Sequence, residues 1–140
     1  MYLIDTNVAS ELRKLRNGKA DPAFAAWFGG ISLDVVYLSA ISIFEIEYGI
    51  LLLKRRDPIQ AEVLEEWRDK IRERLQSRVI PVDEAIALDC AALNVPVTRP
   101  LSDAFIGATA RTHGLVLVTR NVKDFQNMGL EVVNPWDGPA

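Results

Sequence analysis

Tyr2-Leu3-Ile4-Asp5-Thr6-Asn7-Val8, at the start of the chain, carries an apolar run straight into a carboxylate and two small polar residues. The apolar triplet reads as a short strand. Asp5-Thr6-Asn7 suits the N-cap of a helix that turns Val8, Leu12 and Leu15 inward. Two further runs, Val35-Val36-Tyr37-Leu38 and Leu115-Val116-Leu117-Val118, are continuously apolar, the pattern of strands buried on both faces in a parallel sheet.

The segments between these runs read as helices. Ala23 to Phe28 is a short one, stopped by Gly29-Gly30. Ser42 starts another, with Ile43, Ile46, Ile50 and Leu53 on one face. Asp57-Pro58 caps a long amphipathic helix to about Ser77, carrying Ile59, Val63, Trp67, Ile71 and Leu75 at helical spacing. Val79 to Val82 is strand-like, and Asp83 caps a helix through Cys90 and Leu93. After a Pro-containing loop, Ser102 caps a helix that closes at Gly114, and Glu131-Val132-Val133 forms a last, weaker strand. Strands alternating with helices predict an α/β domain with a parallel sheet.

The 140 residues suit one compact domain. No apolar stretch approaches the roughly 20 residues that span a bilayer, and the opening residues lack the basic and apolar regions of a signal peptide; a cytoplasmic address without membrane contact is expected. The single cysteine, Cys90, rules out an intrachain disulfide and a Cys-rich zinc site; it reads as a small core residue. The single histidine, His113, stands at a helix end and leaves little room for zinc-hydrolase or Ser-His-Asp chemistry. Sixteen Lys and Arg against 19 Asp and Glu give a net charge of -3. That argues against a module holding nucleic acid by counterion release alone, but not against a nuclease whose acidic site is neutralised by metal.

Four acids stand out by position. Asp5 follows the first strand, Asp103 begins the helix before the Leu115 strand, and Asp124 comes just after that strand. Ligands of open α/β sheets bind at the carboxyl ends of strands where strand order reverses, so loops there can gather carboxylates distant in sequence. Ionised carboxylates that close raise one another's pKa, and magnesium or manganese relieves this with oxygen ligands. Each acid also has a structural reading. Asp5 can serve as a helix cap. Glu45, in Ser42-x-x-Glu45, fits a capping box, and spacing leaves open whether it or Glu47 is the ligand. Asp103 can complement a helix dipole, and Asp124 can be a surface turn residue.

With those residues in view, the chain resembles the PIN-domain ribonucleases, and among them the VapC- and FitB-like toxins of toxin–antitoxin pairs. The resemblance runs in order through Leu3-Ile4-Asp5-Thr6-Asn7-Val8, Ser39 to Gly49 with Glu45 four residues before the glycine, Leu101 to Ala110 around Asp103, and Leu117 to Phe125, ending near Asn134-Pro135-Trp136. It implies a single PIN domain over residues 1–140, Rossmann-like, with three α/β/α layers and a central parallel sheet. It implies that Asp5, Glu45, Asp103 and Asp124 form a catalytic, metal-binding quartet for Mg2+ or Mn2+, with Asn7, Thr119 and Asn121 supporting it. Some relatives carry aspartate where this chain has Asn121, which implies that Asp124 acts through water or tunes the site. The resemblance also selects Glu45 over Glu47. Its implied activity is hydrolysis of RNA phosphodiesters; its implied partners are RNA, a cognate antitoxin and a second copy of the chain. Residues around Ile46, Ile50, Leu51, Leu53 and Trp67 are candidates for the antitoxin groove.

Arg13, Lys14, Arg99, Arg120 and Lys123 stand where they could guide an RNA backbone, although ordinary surface charge explains most such residues. A haloacid-dehalogenase-like phosphatase wants a second acid at the position of Asn7 and a downstream lysine beside paired aspartates, and neither is found. A receiver domain lacks its paired acids after the first strand. From another class, an inactive PIN scaffold that binds protein or nucleic acid is the remaining alternative.

Overall fold

The computed structural model describes residues 1–137. Strand β1 (Tyr2–Ile4) runs into helix α1 (Thr6–Leu15), and α2 (Pro22–Gly29) leads to β2 (Val36–Ser39). The chain continues through α3 (Ala40–Lys54) and α4 (Pro58–Arg74) to β3 (Val79–Ile80). Helices α5 (Glu84–Leu93) and α6 (Leu101–His113) lead to β4 (Val116–Val118), and β5 (Val132–Val133) is the last strand. The sheet order is β3-β2-β1-β4-β5 and every pairing is parallel. This is a single α/β domain, a five-stranded parallel sheet between two helical layers.

Side chains alternate across the central strands, and that alternation sorts the core into two halves. Leu3 and Leu117 face a cluster built with Ile86, Cys90, Leu93, Ala104 and Ala108 of α5 and α6. Ile4 and Val118, one residue on, face a cluster with Val8, Phe24, Phe28, Ile46, Ile50 and Ile71 from α1 to α4, and Leu75 just after α4. Both faces are covered, which is why these strands read as unbroken apolar runs. Truncating a wholly buried residue such as Leu3 or Leu117 costs about 2–5 kcal/mol on this account.

The helix starts are chemically marked. Asp21 Oδ1 accepts from the Ala23 and Phe24 amides with Pro22 next in line, and Asp57 Oδ1 accepts from Gln60 before Pro58 opens α4. Asp83 Oδ1 accepts from the Ile86 amide at 3.0 Å. Helix α6 ends at Gly114 in the left-handed conformation, φ +63°, which a side chain would strain.

Two expected caps differ. Helix α3 starts at Ala40, capped by Ser39, whose Oγ accepts from the Ile41 amide at 3.0 Å. Ser42 is therefore inside the helix and wholly buried, so the Ser42–Glu45 capping box does not form. Helix α6 starts at Leu101 after Pro100 with no side-chain cap, and Ser102 lies in its first turn. The strand expected at Val79 to Val82 stops at Ile80, and the helix expected to reach Ser77 ends at Arg74 before a 3-10 turn at Gln76–Arg78.

Strand order also fixes where a ligand can sit. The chain steps outward from β1 through β2 to β3, then crosses back to β4 on the other side of β1. The order reverses between β1 and β4, so their carboxyl ends border the crevice where parallel α/β sheets bind ligands. Asp5 follows β1 there, and Thr119 follows β4.

Candidate functional site

Asp5 is held at that crevice by both oxygens. It caps α1, with Oδ1 accepting from the Val8 amide at 2.9 Å, while Oδ2 accepts a short hydrogen bond from the Thr119 hydroxyl. Its own amide donates to Val118 O at 3.1 Å, tying the β1 exit to β4. The residue is 5% exposed. Burial raises its pKa above the ordinary carboxylate value; the bonds from Thr119 and Val8 work against that shift, and the charge of Glu45 adds to it. The cap reading of Asp5 is therefore true, but a cap does not need burial beside another carboxylate.

Glu45 comes from the second turn of α3 and reaches the same place. Its Oε1 accepts from the Thr6 hydroxyl at 2.6 Å, and Thr6 Oγ1 lies 3.0 Å from Ser42 Oγ. Glu47, the competitor by spacing, is occupied elsewhere: its Oε2 meets Arg68 of α4 at 2.6 Å.

Asp103 sits in the first turn of α6, partly buried. Burial raises its pKa, and the negative charges of Asp124, Glu45 and Asp5, in that order, push it further. Asp103 thus feels the charge of the other three acids, which come from three other parts of the chain. Asp124 lies at its exposed edge, in the 3-10 turn Val122–Phe125, where its amide donates to Asn121 O at 3.0 Å.

Thr119 is wholly buried and is the hinge of the site: it donates to Asp5 and accepts from the Asn121 amide at 3.0 Å. Asn121 and Asn7 are exposed on the crevice rim. Asn7 contributes through its backbone, whose amide lowers the Asp5 pKa. Thr6 and Ser42 are participants that sequence reasoning took for helix-cap residues. The available signal was that Ser42 stands one helical turn before Glu45 and Thr6 directly follows Asp5.

Among the described residues, no three Asp, Glu, His or Cys side chains converge as a ready-made metal cage. The donor chemistry nonetheless suits a hard cation. It consists of carboxylate oxygens alone, and Asp5 and Asp103 are held above their ordinary pKa beside other acids. Magnesium keeps much of its water and takes one or two carboxylates directly, so an open acidic cluster fits it better than a closed shell would.

The PIN domain family model matches residues 2–130. The chain is 32% identical to "VapC ribonuclease Y4jK" of Sinorhizobium fredii, across 98% of this chain and 99% of that protein. It is 33% identical to "Toxin FitB" of Neisseria gonorrhoeae, across 97% of this chain and 99% of that one. The crystal structure of FitAcB from Neisseria gonorrhoeae matches with a TM-score of 0.86 at 32% identity, covering 97% of this chain and 99% of the other. A toxin–antitoxin complex from Klebsiella pneumoniae matches at 28% identity with a TM-score of 0.64, over 96% of this chain and 98% of that one.

Proposed function

The chain belongs to the PIN domain family, and from that premise we propose that it is a metal-dependent endoribonuclease acting as the toxin of a toxin–antitoxin pair. The observation that carries this reading is that buried Asp5, at the β1–β4 switch point, and Asp103 both feel the charge of neighbouring acids, Glu45 on both and Asp124 on Asp103. The relatives named as a VapC ribonuclease and a toxin support it.

In this reading Asp5, Glu45 and Asp103 would hold Mg2+ or Mn2+, and exposed Asp124 would complete the quartet through water. When bound, the cation supplies Lewis acidity toward a phosphodiester and makes water a better nucleophile. The chain's part is to keep the donors in place before RNA arrives. Thr119 and the Val8 amide lock Asp5, and Thr6 fixes one oxygen of Glu45. Asp5 or Asp103 would orient the attacking water or take up its proton.

Purified protein offered a labelled, structured RNA pool is expected to cut with Mg2+ or Mn2+ and to stop on addition of EDTA. Cutting that persists in EDTA would reject the metal site; no cutting by folded protein with either metal would move the assignment to a binding scaffold. Thr119→Val removes the hydroxyl with little change in volume. It is expected to weaken metal binding by about 10–100-fold, the usual cost of losing a ligand's supporting partner. Isothermal titration with Mn2+ measures this, and unchanged affinity would remove Thr119 from the site.

The partners proposed are RNA, an antitoxin and a second copy of the chain. A groove between α1, α3 and α4 starts beside Thr6 and Glu45 and runs over Ile46, Ile50, Leu53 and Trp67. It suits an apolar antitoxin segment that ends at the carboxylates. Leu51, expected on the same groove, is exposed outside its lining. On α3, Phe44 and Tyr48 stack with ring centroids 5.8 Å apart while 63% and 55% exposed, an apolar patch suited to a second copy. Among the described residues, no helix is long and apolar enough to cross a membrane.

A further inference from the structure

An acidic protein that cuts RNA needs local cations to hold a polyanion beside its carboxylates, and the structure separates free cations from committed ones. Arg99 is spent on the fold: Nε donates to Leu93 O at 2.9 Å, Nη1 to Gln126 O at 3.0 Å and Nη2 to Asn127 O at 3.4 Å. Arg111 likewise donates to Met128 O and pairs with Asp89. On the α1 side of the crevice the picture is different. Arg13, Lys14 and Arg120 line one depression, together with Asn7, Asn121 and Trp136.

Among the described residues, neither Arg13 nor Arg120 has a carboxylate partner; Lys14 pairs with Glu11 of the same depression at 3.3 Å. Arg120 is placed in advance. Its guanidinium carbon lies 5.3 Å from the Trp136 ring centroid, a cation–π contact. Trp136 is itself fixed, packed on wholly buried Phe24 at 4.7 Å, with its amide donating to Asn134 Oδ1 at 2.9 Å. The depression adjoins the acidic site through both asparagines. Asn7 is two residues past Asp5, and the Asn121 amide bonds the Thr119 hydroxyl that in turn holds Asp5.

We propose that this depression is the seat of the RNA strand flanking the scissile bond, with Arg13 and Arg120 gripping a phosphate adjacent to the one cleaved. The inference rests on the ribonuclease reading above. A guanidinium presents a planar fork of donors that matches two phosphate oxygens, and it stays charged at every working pH. Trp136 acts through Arg120 as a positioning residue. Its ring is taken up by the guanidinium and by Phe24, so the depression offers a phosphate clamp and not a stacking platform for bases. Asn7 and Asn121 line the same space, and a side-chain amide carries donors and acceptors suited to a base edge or ribose.

The test measures the salt dependence of binding to a fluorescent single-stranded RNA 12-mer of mixed sequence in Mg2+, on an Asp103→Asn background that does not cut. Each phosphate contact contributes about 0.7 to the slope of log K against log salt on a single strand. Arg120→Gln and Arg13→Gln are each expected to flatten the slope by about that amount. In the cutting protein each should raise KM by about tenfold or more with kcat little changed. Trp136→Phe, which keeps an aromatic face, should retain most binding, whereas Trp136→Leu should reproduce the Arg120→Gln loss and add nothing to it. Lys54→Gln removes the same charge from the far end of α3 and should leave the slope alone.

If wild-type protein cuts RNA but the Arg13 and Arg120 variants match Lys54→Gln, the clamp is refuted and the ribonuclease reading stands. Loss of binding to an acidic oligoglutamate peptide with RNA binding intact would also overturn it, assigning the depression to a protein partner. Wild-type protein that neither cuts nor binds RNA with Mg2+ or Mn2+ rejects both readings.

Discussion

Asp103→Asn is expected to reduce RNA cleavage by at least about 100-fold while making the metal-free protein more stable. The two effects have one cause. Burial, then the negative charges of Asp124, Glu45 and Asp5, holds the Asp103 carboxyl above its ordinary value of 3.8. The folded chain therefore binds this proton more tightly than the unfolded chain does. The resulting stabilisation is complete below the unfolded pKa and is lost as pH rises through the folded one. At pH 7 the ionised group works against the fold, and the neutral amide, nearly the same shape, relieves it.

Thermal melts in EDTA should accordingly give Asp103→Asn a higher midpoint than wild type at pH 7, with the gap closing as pH falls through the range where Asp103 protonates. Saturating Mg2+ should reverse the order, because only the wild type gains the full binding energy of the ion. A lower midpoint for the variant in EDTA at pH 7 would mean that Asp103 makes a favourable contact within the fold. Retained cleavage would take it out of the catalytic set.

Gly107→Val is expected to destabilise the protein by about 3 kcal/mol, a fall in Tm of about 10 °C. Gly107 lies on the buried side of α6, four residues after Asp103. A Cβ there would collide with Met128 Sδ, and would stand 3.4 Å from Met128 Cε and 3.7 Å from Leu130 Cδ2. Met128 is wholly buried, so its thioether has no solvent to swing into. On an exposed helix, replacing glycine gains up to about 1 kcal/mol, which cannot offset an overpacked core. A compensating Met128→Ala change should recover part of the loss, as expected of residues in direct contact. If Gly107→Val melts like wild type, α6 is not seated on Met128 as described. Because α6 carries Asp103, the variant should also lose cleavage beyond what its folded fraction explains.

The alternation of apolar runs with amphipathic helices was enough to read an α/β domain and to locate β1, β2 and β4, because strands covered on both faces must be apolar throughout. Helix starts were legible where the cap is local chemistry: Asp57 before Pro58, and Asp83. They were not legible at α3 and α6. Ser39 and Ser42 are equally good caps by type, and only the path out of β2 puts Ser39 at the helix mouth and Ser42 against Thr6. The order of the PIN-like motifs identified the family from sequence, and it selected Glu45 over Glu47 among acids that position had already singled out.

Which neighbours each acid meets could only come from tertiary structure. Glu45 and Glu47 are two residues apart with the same chemistry, yet Glu45 accepts from Thr6 and Glu47 pairs with Arg68. The same holds for the cations. Arg99 and Arg120 are indistinguishable by type, yet one is consumed by three backbone carbonyls and the other rests on Trp136. Sequence by itself determined the repertoire of elements and charges, because periodicity and capping are local. The tertiary structure decided which charges meet and which remain free, because those depend on contacts between distant parts of the chain, 114 positions apart for Asp5 and Thr119.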